Sequence, residues 1–208
     1  MANIKNDMET PTLAIMGRPR EFDVNDALDR AIEVFWRNGY EGSSVAELTE
    51  AMGVSPPSLY AAFGNKEGLF RRALDRYIEK HGAYWDKAVA EPTARGMAEQ
   101  LLRGCADFLA QKNNPPGCMF ARSAASCGEG ADTIRQELTA RRAEGEAKVR
   151  KRLERAKAAG ELPRDQSPTD LAHYLMTMMD GMAARAACGA SREELRKVAE
   201  LALRAWPT

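Results

Sequence analysis

The stretch SVAELTEAMGVSPPSLYAAF, Ser44 to Phe63, reads as two short helices joined by a tight turn. Val45, Leu48 and Met52 recur at helical spacing and give the first helix one buried face. Gly53 stands where that helix must stop, because glycine takes the left-handed cap conformation without steric cost. Ser55 is placed to accept a hydrogen bond from the free N–H groups of the second helix, and Pro56 and Pro57 suit a first helical turn. Leu59 and Phe63, four apart, form the second helix's buried side. That leaves Pro57, Ser58, Tyr60 and Ala61 turned outward. A short helix with small and polar residues on its free face, held at an angle by a glycine turn, has the dimensions of a reader of the DNA major groove.

Composition neither helps nor forbids this reading. The chain has 208 residues, 44% hydrophobic and 29% charged, enough for one or two domains with a real core. No run of about 18 apolar residues exists, so no membrane partner is expected. The opening MANIKNDMETPTLAIMG lacks the basic region and apolar core of a secretory signal. Cys105, Cys118, Cys127 and Cys188 show no CxxC spacing, and the expected location is cytoplasmic with reduced thiols. The net charge is zero, and residues 18–80 carry nine Lys and Arg against eleven Asp and Glu. The nucleic-acid reading therefore rests on the motif, with helix N-termini and a few placed cations left to meet phosphates.

Outward from the motif, residues 1–20 are polar and aperiodic and are expected to form a disordered arm. Arg18 and Arg20 either reach DNA, as basic arms do, or belong to a solvated tail. A first helix is predicted from Val24 to Asn38, capped by Asp23 and stopped by Gly39. Its stripe is Val24, Leu28, Ala31, Ile32 and Phe35, with Trp36 beside it. Ser43 or Ser44 caps the motif. Asn65 caps a further helix beginning Lys66-Glu67-Gly68 and continuing through Leu69, Phe70, Ala73, Leu74, Tyr77 and Ile78. Lys66 stands at that helix's N-terminus, where the dipole mildly disfavours a cation unless the site also receives a phosphate.

The sequence from Gly17 to Ile78 resembles the N-terminal domain of TetR/AcrR-family transcriptional regulators. The resemblance is carried by the ALD-A-VFW-NGYE helix, the S-V-A-L-AMGVS turn, SLYAAF and NKEGLF. It implies an all-α fold: an N-terminal three-helix helix-turn-helix DNA-binding domain over 21–81, and a C-terminal helical-bundle ligand-binding and dimerisation domain over 82–208. Many members carry lysine and glycine just after the turn, where this chain has Pro56 and Pro57. The tip is thus less charged, and affinity is expected to lean on Lys66, Tyr60 and backbone contacts.

The second half is helical throughout. Pro92 opens a helix with the stripe Met97, Leu101, Cys105 and Phe108, and Asn113-Asn114-Pro115-Pro116-Gly117 breaks it. A short helix is predicted from Cys118 to about Ser126, and a long one from Asp132 to about Ala159. From Arg135 to Lys157 the long helix carries nine Lys and Arg against four Glu, either as a solvated face or as a second nucleic-acid surface. Ser167-Pro168-Thr169-Asp170 and Ser191-Arg192-Glu193-Glu194 read as capping boxes for the last two helices. The first of these is apolar nearly all round and must be covered on all sides. The final pair is therefore expected to pack on its copies in a twin subunit, an isologous seam that also matches where the resembled family dimerises.

A symmetric dimer would read a roughly palindromic double-stranded operator with half-sites one turn apart. The resemblance implies Ser44, Ser55, Pro57, Ser58, Tyr60 and Lys66 as DNA-facing residues. Read by themselves, the serines are also plain helix caps and Tyr60 a packing tyrosine. The resemblance also implies an apolar pocket for a small-molecule effector in the C-terminal half. Its candidate lining is Tyr84, Trp85, Met97, Leu101, Cys105 and Phe108 from the first part of that half, with Cys118, Met119, Met178 and Met182 from the rest; each is equally readable as core. Pro116-Gly117-Cys118-Met119, the RYI helix end, AGELP at 159–163 and the GAS-REEL ending at 189–195 are similar to the copper-responsive, ComR-like subgroup. Cys118 is accordingly open to three readings: a soft-metal ligand, a redox-sensing thiol or an inert buried cysteine. No cofactor is expected. An enzyme is disfavoured: there is no GxGxxG after a strand, no P-loop and no HExxH, and His81 and His173 stand alone.

Overall fold

The computed structural model describes residues 22–125, 128 and 130–207, so the basic arm at 1–20 lies outside the described residues. Ten helices and no strand occur among them. The first, α1 (Val24–Asn38), starts because the Asp23 carboxylate accepts from the amides of Asn25 and Asp26, and it ends where the Gly39 N–H donates to the Phe35 carbonyl. Its buried face is Ala27, Leu28, Ala31, Ile32, Phe35 and Trp36, while Val24 is only half-buried at the helix mouth.

The expected motif forms α2 (Val45–Met52) and α3 (Pro56–Phe63). Ser44, not Ser43, is the cap. Its hydroxyl accepts from the Glu47 amide at 3.1 Å, and the Glu47 carboxylate accepts from the Ser44 amide at 2.9 Å. Ser43 is buried and donates to the Gly39 carbonyl. Gly53 closes α2 at φ +68°, ψ +33°. A Cβ there would meet nothing closer than the Arg30 guanidinium at 3.5 Å, so the demand for glycine comes from the backbone. Gly53→Ala is expected to cost about 1–2 kcal/mol and to lower the melting temperature by roughly 2–4 °C per kcal/mol. Circular dichroism melts would check both this loss and the persistence of helical content.

Helix α4 (Lys66–His81) packs on α1 through Phe35 and Phe70, whose rings meet edge-on at 4.9 Å. An ion-paired strap reinforces the contact, with Arg76 and Lys80 both bonded to Asp29. Gly82 then turns the chain into α5 (Ala83–Val89), a helix the sequence reading missed. It has no side-chain cap and only seven residues, too few for a periodic stripe.

Helix α6 (Ala94–Leu109) is the central post of the second half, between α5, α9 and α10. It begins after Thr93, whose hydroxyl accepts from the Gly96 amide, and not at Pro92. The carbonyl of Pro92 instead accepts from buried Arg152 at 2.6 Å. Short α7 (Met119–Ala125) leads to α8 (Asp132–Ala158). Part of the basic run of α8 is committed within the fold: Arg141 pairs with Glu137 and Asp75, Arg142 with Asp180, and Arg152 is turned inward. Lys148, Arg150, Lys151, Arg155 and Lys157 are exposed.

Helices α9 (Pro168–Ala187) and α10 (Arg192–Arg204) close the chain. Ser191 and Glu194 form a full reciprocal capping box; Ser167 accepts from the Asp170 amide with no reciprocal bond. Asp107 on α6 receives both Arg192 and Arg196 of α10, and these guanidiniums hold its carboxyl down to about 2. The outer face of this pair keeps apolar groups in solvent, Leu201 at 60% and Val198 at 39% exposure. No helix among the described residues is long and apolar enough to cross a membrane.

Candidate functional site

Two places in the fold carry more chemistry than packing requires. The first is the outer face of α3. Leu59 and Phe63 are buried where α3 packs on α2 and α4, while Tyr60 stands 48% exposed. Pro56, Pro57 and Ala61 share its free face, and Ser58 is half-buried beside them. Pro56 and Pro57 have no N–H, and the Ser58 amide is taken by Ser55 at 3.3 Å. The head of α3 therefore offers no free backbone donor, against the expectation that backbone contacts there would compensate for its low charge.

Side chains must supply the polar contacts instead. The hydroxyls of Ser55 and Ser58 share one hydrogen bond of 2.9 Å, which uses one of their two protons and leaves one for an outside acceptor. The Tyr60 hydroxyl is likewise exposed. Ser44 is exposed, but its hydroxyl already donates to Glu47, so its capacity is spent as the α2 cap. Lys66 does not extend freely into solvent. Its ammonium lies 4.5 Å above the Tyr40 ring, and burial pushes it below the ordinary lysine range, opposed by Glu41 and Glu47. The amides of Lys66 and Glu67 open α4 with no intrahelical acceptor, so backbone donors do cluster there. Sequence reasoning passed over Arg72, an exposed guanidinium 5.5 Å from the Phe63 ring, which places a cation beside α3.

The second place is a chamber of about 270 Å³ in the second half, bounded by α4, α5, α6, α8 and α9. Five of the ten expected lining residues face it: Tyr84, Trp85, Cys105, Phe108 and Cys118. Met97, Leu101, Met119 and Met182 do not; they are sealed in the core with at most 1% exposure. Met178 is half-buried outside the chamber. The reason is helical phase. On α9 the chamber stripe is Met176, Met179, Asp180 and Ala183, and positions 178 and 182 lie on another face. The reading also missed Tyr77 and His81 of α4, one turn apart on a face that had been assigned only to packing.

The two places are joined by Trp36. This α1 side chain is 2% exposed and reaches into the second half. Its indole N–H donates to the Gly117 carbonyl at 3.0 Å, and its ring meets Tyr77 edge-on at 4.8 Å and stacks with Phe108 at 5.7 Å. Gly117 has φ +88°, and a Cβ there would approach Ala187 of α9 at 3.1 Å, so both backbone and space require glycine. The next residue, Cys118, lines the chamber and accepts from the Tyr77 hydroxyl at 3.7 Å. A change at the chamber wall thus lies two bonded contacts from α1.

A glycine-turn helix pair with an exposed second helix, carried on a helical body with an internal chamber, defines a helix-turn-helix DNA-binding transcriptional regulator and not an enzyme. Residues 27–73 match the model for bacterial regulatory proteins of the tetR family, and 98–202 match a tetracyclin repressor-like C-terminal domain. The chain is 37% identical to the HTH-type transcriptional repressor ComR of Escherichia coli K12 over 193 residues, 92% of each chain. It is 31% identical to the repressor BdcR of the same strain over 90% of this chain and 91% of that one. Among solved structures it is similar to a cysteine mutant of the TetR family regulator CifR complexed with 26-bp double-strand operator DNA, with 43% identity, a TM-score of 0.87, and coverage of 91% of this chain and 100% of the other. The chain belongs to the tetR family of bacterial regulatory proteins.

Proposed function

We propose that the chain is a homodimeric repressor that binds a palindromic double-stranded operator through residues 21–81 and is released when a small molecule occupies the chamber that the end of α4 forms with the helices of residues 82–208. The observation that carries this is the free face of α3, where Tyr60, the spare Ser55–Ser58 proton and Pro57 project together from a helix whose other side is fully buried. Lys66 with the first amides of α4 forms the phosphate anchor, and Ser44 fixes α2 in place. The 43% identity to CifR, which is complexed with double-strand operator DNA, supports operator binding.

The second copy is accounted for by the outer face of α9 and α10. Leu201 and Val198 are exposed there beside Thr177, Gly181 and Ala184 of α9, which are small enough to let another helix approach. Release requires only that the occupied chamber favour a different head spacing by a few kcal/mol, with α4, which runs from the chamber wall to Lys66, and the Trp36–Gly117 bond as the links between the two. The copper reading of Cys118 has less support: no group of three His, Cys, Asp or Glu is gathered for a metal among the described residues.

The test is a gel shift with the DNA upstream of the protein's own gene, at a salt concentration held constant, together with the mass of the complex. Two chains per duplex, resistant to excess unrelated DNA, is the expected result. A complex of one chain, or equal affinity for unrelated DNA, contradicts the proposal.

A further inference from the structure

The chamber's walls restrict what it can hold. Tyr84 and Phe108 lie stacked at 5.9 Å along it. Gly104 lets the Tyr84 ring rest directly on α6, since a Cβ there would come within 2.8 Å of ring carbon Cδ2. Gly145 of α8 does the same for Trp85 at 3.4 Å. The result is a pocket walled by aromatic rings, with the Tyr77, Tyr84, Cys105 and Cys118 heads as its inner polar group. Its volume of about 270 Å³ falls just under the ~300–1,000 Å³ of sites for drug-sized ligands.

The charges say as much as the shape. Burial pushes the Tyr77 and Tyr84 phenols and the Cys105 thiol well above their ordinary ranges, and pushes the His81 imidazole down. These two phenols, the Cys105 thiol and the His81 imidazole are thereby held neutral near pH 7. At the rim, Arg142 is spent on Asp180, and Arg141 on Glu137 and Asp75. What stays unpaired at the rim among the described residues is Lys148 against Asp86 and Glu144, all three exposed. An anion would meet one solvated lysine and two carboxylates. A cation would leave water for an interior with no carboxylate of its own, since Asp180 is at the rim and already has a partner. Either entry is costly, because a buried charge needs a partner that this chamber does not offer.

We infer that the chamber takes an uncharged, flat molecule of one or two fused rings, held against its aromatic walls with one hydrogen bond to the inner tyrosine–cysteine group. This rests on reading the chamber as the effector site. The test uses the full chain and three probes sharing one ring system: 1-naphthol, neutral at pH 7, 1-naphthoate, an anion, and 1-naphthylmethylammonium, a cation. Calorimetry is expected to show one naphthol per chain, bound at least about tenfold more tightly than either ion. Gly145→Leu, which sets a side chain against Trp85 in the mouth, is expected to remove naphthol binding while the melting temperature holds. Cys118→Leu, which fills the opposite wall, serves where the first variant does not fold. Failure of all three probes to bind, an ion binding as tightly as naphthol, or naphthol binding unchanged in the folded variants would overturn the inference. A gel shift run in parallel keeps the two readings apart. Naphthol that binds without releasing DNA leaves the ligand class standing and removes the release mechanism. DNA binding without any probe binding does the reverse.

Discussion

Tyr60→Ala combined with Lys66→Ala is expected to reduce operator affinity on the order of a thousandfold while leaving the fold intact. Each lost phosphate or base contact is worth about 1 kcal/mol or more. Two per subunit in a symmetric dimer sum to about 4 kcal/mol, or about three decades in Kd. The fold should survive because neither side chain supports the core: Tyr60 is 48% exposed and Lys66 lies over one face of Tyr40. The single variants separate the roles. Lys66→Ala should weaken binding to all sequences and lower the salt slope by about one per subunit, whereas Tyr60→Phe should isolate the hydroxyl from the ring. Fluorescence anisotropy at several salt concentrations reads all of these, and full affinity in the double variant would remove both residues from the interface.

The second large effect belongs to Trp36. Trp36→Ala is expected to cost about 3–5 kcal/mol, as for other buried Trp truncations. That is a large share of a total stability of about 5–15 kcal/mol. The site cannot readily collapse, because the rings of Tyr77, His81 and Phe108 surround the indole on three sides. Trp36→Phe keeps an aromatic ring in the cluster but removes the donor and part of the indole, leaving the Gly117 carbonyl unpaired in the interior. About 1–3 kcal/mol is expected for that change, read as a shift in urea midpoint at unchanged slope. If Trp36→Phe proves neutral, the indole–Gly117 bond is not what ties α1 to the second half.

How legible this was differs between the two halves for identifiable reasons. In the first, the signals are local and redundant: Asp23 and Ser44 cap, Gly39 and Gly53 stop, and Leu59 with Phe63 fix the inward side of α3. Each rule reads neighbours in sequence, and all agree. The chamber was legible only in part. Sequence could name α6 residues whose stripe is unambiguous, such as Cys105 and Phe108. It could not phase α9, where Met176, Met178, Met179 and Met182 are interchangeable by composition; only packing selects the 176–179–180–183 stripe. The posture of Lys66 over Tyr40 and the reach of Trp36 to Gly117, 81 positions away, are tertiary contacts with no local signature. The pairing of Arg141 and Arg142 in α8 was hidden for the same reason, since their partners Asp75 and Asp180 come from α4 and α9.

The account depends most on two α3 faces meeting one side of a duplex together. A hydroxyl-radical footprint on the DNA upstream of the protein's own gene measures that directly. Two protected half-sites of inverted sequence are expected, centred one helical turn apart (about 34–36 Å) or a whole number of turns apart, and both should vanish together in the Tyr60→Ala, Lys66→Ala double variant. A single protected patch, or two on opposite sides of the helix, would contradict the account.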